Sequence, residues 1–222
     1  MTELSARMKN HIQATDFSGA DDTLVLWTTP ILRRIPKDAD AVSPELKRVV
    51  LERAALDSGD HKSNVGGWHS GEDLLTWGGG AIATLQSWIV QAFQDVTKAM
   101  TGGESYDGQL ELNAWANVNR TGDYNDLHTH PACAWSGVYY VDVGTPAPDN
   151  RKRSGTLEFI DPRYGADMVF VPGAEFGAAK VIRPSNGELV MFPSWLNHWV
   201  HPYWGEGERI SIAFNIRIRP RP

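Results

Sequence analysis

Arg209–Arg219, RISIAFNIRIR, carries the clearest strand signature in the chain. Ile210, Ile212, Phe214, Ile216 and Ile218 alternate with Arg209, Ser211, Ala213, Asn215 and Arg217. Successive side chains of a strand point to opposite faces, so one face here is apolar and the other polar. The apolar face needs a hydrophobic layer to cover it, and the polar face then points into a barrel. An arginine facing a barrel interior needs an anion, because an unpaired buried charge is costly.

The same texture occurs at residues 110–119, LELNAWANVN. Leu112, Ala114, Ala116 and Val118 form an apolar face, opposite Glu111, Asn113, Trp115, Asn117 and Asn119. Between these two stretches lie a turn at Gly122 and further short runs: SGVYYVDV (136–143), TLEFIDP (156–162) and GELVMFP (187–193). Residues 163–186 are rich in glycine and proline, with room for one or two short strands. Upstream of residue 110 the periodicity is helical. Ile82, Leu85, Trp88 or Ile89, Ala92, Phe93 and Val96 follow Gly78-Gly79-Gly80, predicting a helix to about Met100 that stops before Gly102-Gly103. Ser43 followed by Pro44 reads as a helix start, with the helix running to about Leu56 and burying Leu46, Val49, Val50 and Ala54. Residues 23–35, TLVLWTTPILRRI, read as a strand, at a sheet edge because of Pro30. Residues 1–22 are polar, a short helix or a loose arm. The expectation is one α+β domain over residues 1–222. A helical and strand support region (1–109) backs a double-stranded β-helix, a cupin-like jelly roll, over 110–222.

A length of 222 residues suits one compact domain. The net charge of −6 and the lack of a long basic run argue against general nucleic-acid binding. A single cysteine, Cys133, allows no internal disulfide and reads as a small buried apolar residue. The N-terminus lacks the apolar core of a signal peptide, and no apolar run is long enough for a bilayer. A cytoplasmic protein without a membrane partner is expected. A homodimer is an option on base rates alone. Nine tryptophans imply aromatic walls in the core or around a pocket.

The chemistry concentrates at residues 125–131, NDLHTHP. On an extended backbone Asp126, His128 and His130 project from one face. His198 follows in FPSWLNHWVHP, and Arg209 lies eleven residues beyond it. Two ligand sets for one metal fit: Asp126, His128 and His198, or His128, His130 and His198. Imidazole suits iron, zinc, copper or nickel, so ligand type does not choose the metal. Asn113, Trp115 and Asn117 are candidates for lining the pocket, and Trp195 either walls it or packs in the core. His201, three residues past His198, faces the opposite way on a strand. His69 reads as a loop residue, and Arg151, Lys152 and Arg153 as a solvated loop with a lesser option of meeting an acidic substrate.

GDYNDLHTHP followed by SGVYYV, then GELVMFPSWLNHWVHP and RISIAFN, resembles the 2-oxoglutarate- and iron(II)-dependent oxygenases, and in particular a subgroup with an H-x-H-P element. The resemblance covers about half the chain, and GGWHS (66–70) extends it less specifically. It implies that His128 is the first iron ligand, His198 the distal one and Arg209 the anchor for the far carboxylate of 2-oxoglutarate. Ser211 matches the hydroxyl that assists this arginine. Tyr140 matches a tyrosine donating to the same carboxylate, with Tyr139 as the fallback if the register slips. His130 stands where the wider family has a carboxylate, which implies a site of three histidines and leaves Asp126 to orient an imidazole. A halogenase, which needs a small residue there, is not favoured. The implied activity is hydroxylation of a small-molecule or peptide substrate, with 2-oxoglutarate converted to succinate. The alternatives are a cupin-like three-histidine metalloenzyme that does not use 2-oxoglutarate, and a non-enzymatic jelly-roll binding module.

Overall fold

A computed structural model describes residues 27–145, 150–169, 177 and 179–219. Among the described residues two α-helices and eleven strands follow in the order β1 (Leu32–Arg34), α1 (Ala39–Leu56), β2 (Asn64–Val65), β3 (Trp68–His69), α2 (Gly80–Thr101), β4 (Gln109–Asn119), β5 (Tyr124–His128), β6 (Trp135–Asp142), β7 (Leu157–Phe159), β8 (Lys180–Ile182), β9 (Leu189–Pro193), β10 (His198–Val200) and β11 (Arg209–Arg219). The strands form two sheets, a major one in the order β1-β9-β6-β11-β4-β3 and a minor one in the order β2-β5-β10-β7-β8. All pairings between these strands are antiparallel. This is the expected double-stranded β-helix.

The alternation of β11 and β4 decides the layering. Ile210, Ile212, Phe214 and Ile216 share one core cluster with Ala114, Ala116 and Val118 of β4. The same cluster holds Leu46 and Val50 of α1 and Ile82, Leu85, Ile89, Ala92, Phe93 and Val96 of α2. The helices therefore cover the outer face of the major sheet. A second cluster of Tyr140, Leu157, Phe159, Ile182, Val190, Phe192 and Leu196 fills the space between the sheets. Gly137 lets the outer layer close: it pairs with Phe214 across the β6–β11 ladder, and a Cβ there would lie 2.3 Å from the Phe214 ring.

α2 begins and ends as its periodicity predicts, and Gly102 closes it in the left-handed conformation at φ 77°. The start of α1 differs from expectation. The helix opens at Ala39, behind Asp38 at φ 63°, and Pro44 lies inside it. The Ser43 hydroxyl shares a 2.7 Å hydrogen bond with the Tyr139 hydroxyl rather than capping a helix. Pro44 leaves the Asp40 carbonyl without its intrahelical N–H, a local defect that the burial of Ala39, Leu46 and Val50 outweighs. Val49 and Ala54 are half-buried. In the described part of the stretch 23–35, residues 27–35, Leu32–Arg34 is strand, and it is an edge strand as expected. Residues 1–22 and 23–26 lie outside the described residues. In 163–186 the described strand is Lys180–Ile182, preceded by a 3-10 turn at Ala166–Met168. Among the described residues no helix is long and apolar enough to cross a membrane.

Candidate metal and anion site

β5 ends at His128 and β10 begins at His198, and the two residues face each other across the antiparallel ladder. Their ring centroids are 4.4 Å apart. The ladder slips just beyond, so that Val200 pairs with Asn125. His130 lies two residues past the end of β5. Its amide donates to the Ser194 carbonyl at 2.9 Å, tying it to the turn that leads into β10. Its ring sits 4.9 Å from His128 and 5.2 Å from His198. One ligand atom from each imidazole lies within 4.8 Å of the others, and this is the one such cluster among the described residues.

Two of the three rings are locked by backbone carbonyls. His128 Nδ1 donates to the Asp126 carbonyl at 2.6 Å, and His198 Nδ1 donates to the Leu196 carbonyl at 2.8 Å. A carbonyl only accepts, so both Nδ1 atoms carry the proton and each Nε2 keeps its lone pair for a metal. His130 has no such lock among the described residues. Its ring packs on Trp115 at 5.7 Å, and Trp115 stacks on His69 at 5.7 Å and 18°. Burial favours the neutral imidazoles that metals require. It lowers His130 to about 4 and His198 to about 3, with further lowering from the neighbouring histidines. His128 is also lowered by burial, against the opposing pull of Asp126.

Asp126 does not join the cluster. Its side chain is exposed, and its carboxylate accepts the Leu127 amide at 2.8 Å. It orients His128 through its backbone carbonyl rather than its carboxylate. Cys133 is half-buried and also outside the cluster. Trp195 is 53% exposed, so it neither walls the site nor packs in the core.

The polar face of β11 completes the cavity. Arg209, Ser211 and Ala213 line it together with Trp115, Asn117, Tyr140 and the three histidines. Ser211 pairs with Tyr140 on one side and Asn117 on the other. Tyr139 points away, into the helix-backed layer. Arg209 is only 2% exposed and has no carboxylate partner among the described residues. Its Nη1 reaches the Ser211 hydroxyl at 3.5 Å, and its guanidinium carbon lies 5.2 Å from the Tyr140 ring centre. Arg209 Nε and the Tyr140 hydroxyl are both buried without a hydrogen-bond partner among the described residues. Burial pushes the Tyr140 phenol up to about 12, opposed by the charge of Arg209, so this hydroxyl remains a donor. Burial likewise disfavours the charge on Arg209. A buried guanidinium beside a buried hydroxyl donor, both on the wall of one cavity, has the chemistry to receive an anion.

Other residues bear on the site without a strong sequence signal. Phe192 lies 4.6 Å and Phe159 6.1 Å from the His198 ring, so aromatic carbon walls the metal position. Gly155, at φ +61°, lies against Arg209: a Cβ there would be 3.2 Å from Cδ and Nε. Asn113 bonds Glu72 on the surface and does not line the cavity. His69 is buried in β3 with its Nδ1 bonded to the Ser70 carbonyl, and is not a loop residue. His201 faces out of the barrel and bonds Glu158 at 2.6 Å.

Residues 113–215 match the family model described as "Putative 2OG-Fe(II) oxygenase". No curated protein sequence matches the chain. Among solved structures, a prolyl-4-hydroxylase from Pseudomonas putida has a TM-score of 0.62 at 17% identity, covering 86% of this chain and 94% of that one. A prolyl hydroxylase from Trichoplax adhaerens, in complex with a peptide fragment of hypoxia inducible factor, has a TM-score of 0.59 at 15% identity, covering 86% and 83%. HygX from Streptomyces hygroscopicus, with nickel and 2-oxoglutarate bound, has a TM-score of 0.56 at 12% identity, covering 86% and 83%. At these identities the likeness is one of fold. The family match spans the three histidines, Tyr140, Arg209 and Ser211, so residues 113–215, which carry the candidate site, are similar to the 2OG-Fe(II) oxygenases.

Proposed function

We propose that the chain is an iron(II)- and 2-oxoglutarate-dependent dioxygenase that hydroxylates a small-molecule or peptide substrate. His128, His130 and His198 hold the metal, and Arg209, Tyr140 and Ser211 hold the far carboxylate of 2-oxoglutarate. One observation carries this reading: the buried Arg209, without a carboxylate partner among the described residues, shares a cavity with the three-histidine cluster. Iron(II), when bound, supplies the redox chemistry by which dioxygen converts 2-oxoglutarate to succinate and carbon dioxide and hydroxylates a C–H bond.

The protein's part is positioning and electrostatics. Three neutral imidazoles leave a site charge of about +2, which a dianionic keto acid offsets. Arg209 supplies a planar fork of donors to one carboxylate, and the Tyr140 hydroxyl adds a further donor. These donors are already placed in the cavity wall and buried, so binding incurs little reorganisation. Phe159, Phe192 and Leu157 exclude water from the metal position. A cupin-like enzyme without 2-oxoglutarate, or a binding module, gives Arg209 and Tyr140 no anion and is not favoured. A cytoplasmic location and a homodimeric state belong to the same reading, from the single cysteine and from symmetry base rates.

The test is iron-dependent succinate formation from 2-oxoglutarate under air. Turnover that is equal with and without added iron(II) in metal-stripped protein would sink the reading.

A further inference from the structure

A second cavity lies on the outer side of the minor sheet, away from the histidine cluster. Arg151, Lys152 and Arg153 line it, with Ser154, His201 and Trp204. The nearby carboxylate, Glu158, is already engaged twice, by Arg153 at 2.7 Å and by His201 at 2.6 Å. Arg151 and Lys152 have no carboxylate partner among the described residues. Of the three cations that line the cavity only Arg153 is paired among the described residues, which leaves two unpaired positive charges there on a chain whose net charge is −6.

The basic groups are held, not merely clustered. The Arg151 guanidinium lies over the Trp204 ring at 4.2 Å. A stacked guanidinium keeps its N–H edges free in a fixed plane, ready for two oxygens of one anion. The loop beneath is pinned by backbone groups: the Trp204 amide donates to the Ser154 hydroxyl at 2.7 Å, and the Gly155 amide donates to the Pro202 carbonyl at 3.2 Å. Arg183 donates to the Lys152 carbonyl, fixing that residue from the side of β8.

We infer that this cavity binds a phosphate-class oxyanion, through the Arg151 fork and the Lys152 ammonium, independently of the metal cavity. The two unpaired positive charges match a phosphate dianion better than a single carboxylate.

The test is calorimetric titration of the full chain with inorganic phosphate at fixed ionic strength. The comparisons are Arg151→Gln, the double variant Arg151→Gln/Lys152→Gln, and Arg209→Ala. The substituted pair is exposed, so folding is expected to hold, and a matching melting temperature verifies it. The expected result is one saturable site, weakened at least tenfold in the double variant and unchanged in Arg209→Ala. Absence of saturable heat, equal affinity in the double variant, or loss of binding in Arg209→Ala would each overturn the assignment. A parallel titration with acetate separates the oxyanion classes. Acetate binding as tightly as phosphate, with the same loss in the double variant, would overturn the phosphate assignment.

Discussion

His198 stands directly opposite His128 in the β5–β10 ladder, each with Nδ1 committed to a carbonyl two residues before it. The two lone pairs are thus aimed by backbone, and the metal inherits the order of the sheet. His198→Ala or His128→Ala is expected to weaken metal binding by more than about 100-fold, beyond what loss of an outer partner costs. Saturating nickel(II) at 100 times its Kd stabilises the wild type by about 2.7 kcal/mol. Denaturation of either variant with nickel is expected to show no such gain, and a full gain would contradict the ligand assignment.

His130 is the loosely held third ring, oriented by Trp115 rather than by a carbonyl. Trp115→Ala is therefore expected to lower nickel(II) affinity by about 10-fold, the low end for residues that orient a ligand. His69→Ala, one ring further out, is expected to lower it less. Titration calorimetry checks both. Unchanged affinity in Trp115→Ala would mean that the turn at Ser194 alone places His130.

Arg209 and Tyr140 are expected to act on 2-oxoglutarate rather than on metal. Charge-assisted hydrogen bonds contribute about 1.5–3 kcal/mol, so Arg209→Ala is expected to raise the KM for 2-oxoglutarate by about 10- to 100-fold. Tyr140→Phe is expected to raise it by about 10-fold, leaving nickel(II) affinity as in the wild type. Succinate formation against 2-oxoglutarate concentration provides the measurement. A KM within twofold of wild type in Arg209→Ala would remove Arg209 as the anchor.

The buried imidazoles make the metal-free protein acid-sensitive. An unfolded histidine titrates near 6.5. His130 and His198 are lowered to about 4 and about 3 in the fold, chiefly by burial. Between these values the unfolded chain binds protons that the folded chain does not, so stability falls as pH falls. The stability is fully present above 6.5 and declines by about 1.4 kcal/mol per pH unit for each histidine through the window down to 3–4. Urea midpoints of the metal-free protein at pH 6.5 and pH 5 are expected to differ in this direction, and the double variant His130→Asn/His198→Asn to flatten the difference. A wild-type midpoint independent of pH would contradict the burial of these rings.

Gly155 is expected to tolerate no side chain. Its φ of +61° is left-handed, and a Cβ would lie 3.2 Å from Arg209 Cδ and Nε. The backbone cost is about 1–2 kcal/mol, and the Arg209 side chain must also shift. Gly155→Ala is expected to lower stability and raise the KM for 2-oxoglutarate together, in one urea series and one kinetic series.

Strict alternation made β4 and β11 legible, and with them the inward face of Arg209, whereas the choice of Tyr140 over Tyr139 rested on the family resemblance. Parity along a strand is a local property that sequence carries in full. The start of α1 was not legible, because Ser43 has the chemistry of a cap and spends its hydroxyl on Tyr139, 96 residues away. Asp126 had the right parity for a ligand, yet its carboxylate turns back to its own chain at Leu127. That Arg209 meets no carboxylate among the described residues, and that His130 rests on Trp115, depend on which distant strands cover each side chain. No local pattern encodes that.

The family match begins at Asn113, inside β4, whereas α1 and α2 lie wholly upstream of it. Yet Ala114, Ala116, Val118, Ile210, Ile212 and Phe214 turn their apolar surface to those helices. The portion that carries the family match is thus expected not to fold without those helices. Cut free at residue 110, it would present a bare greasy sheet to water and self-associate. Catalytic ancestry and foldability have different boundaries in this protein, and any transplant or directed evolution of the site must carry the two upstream helices with it.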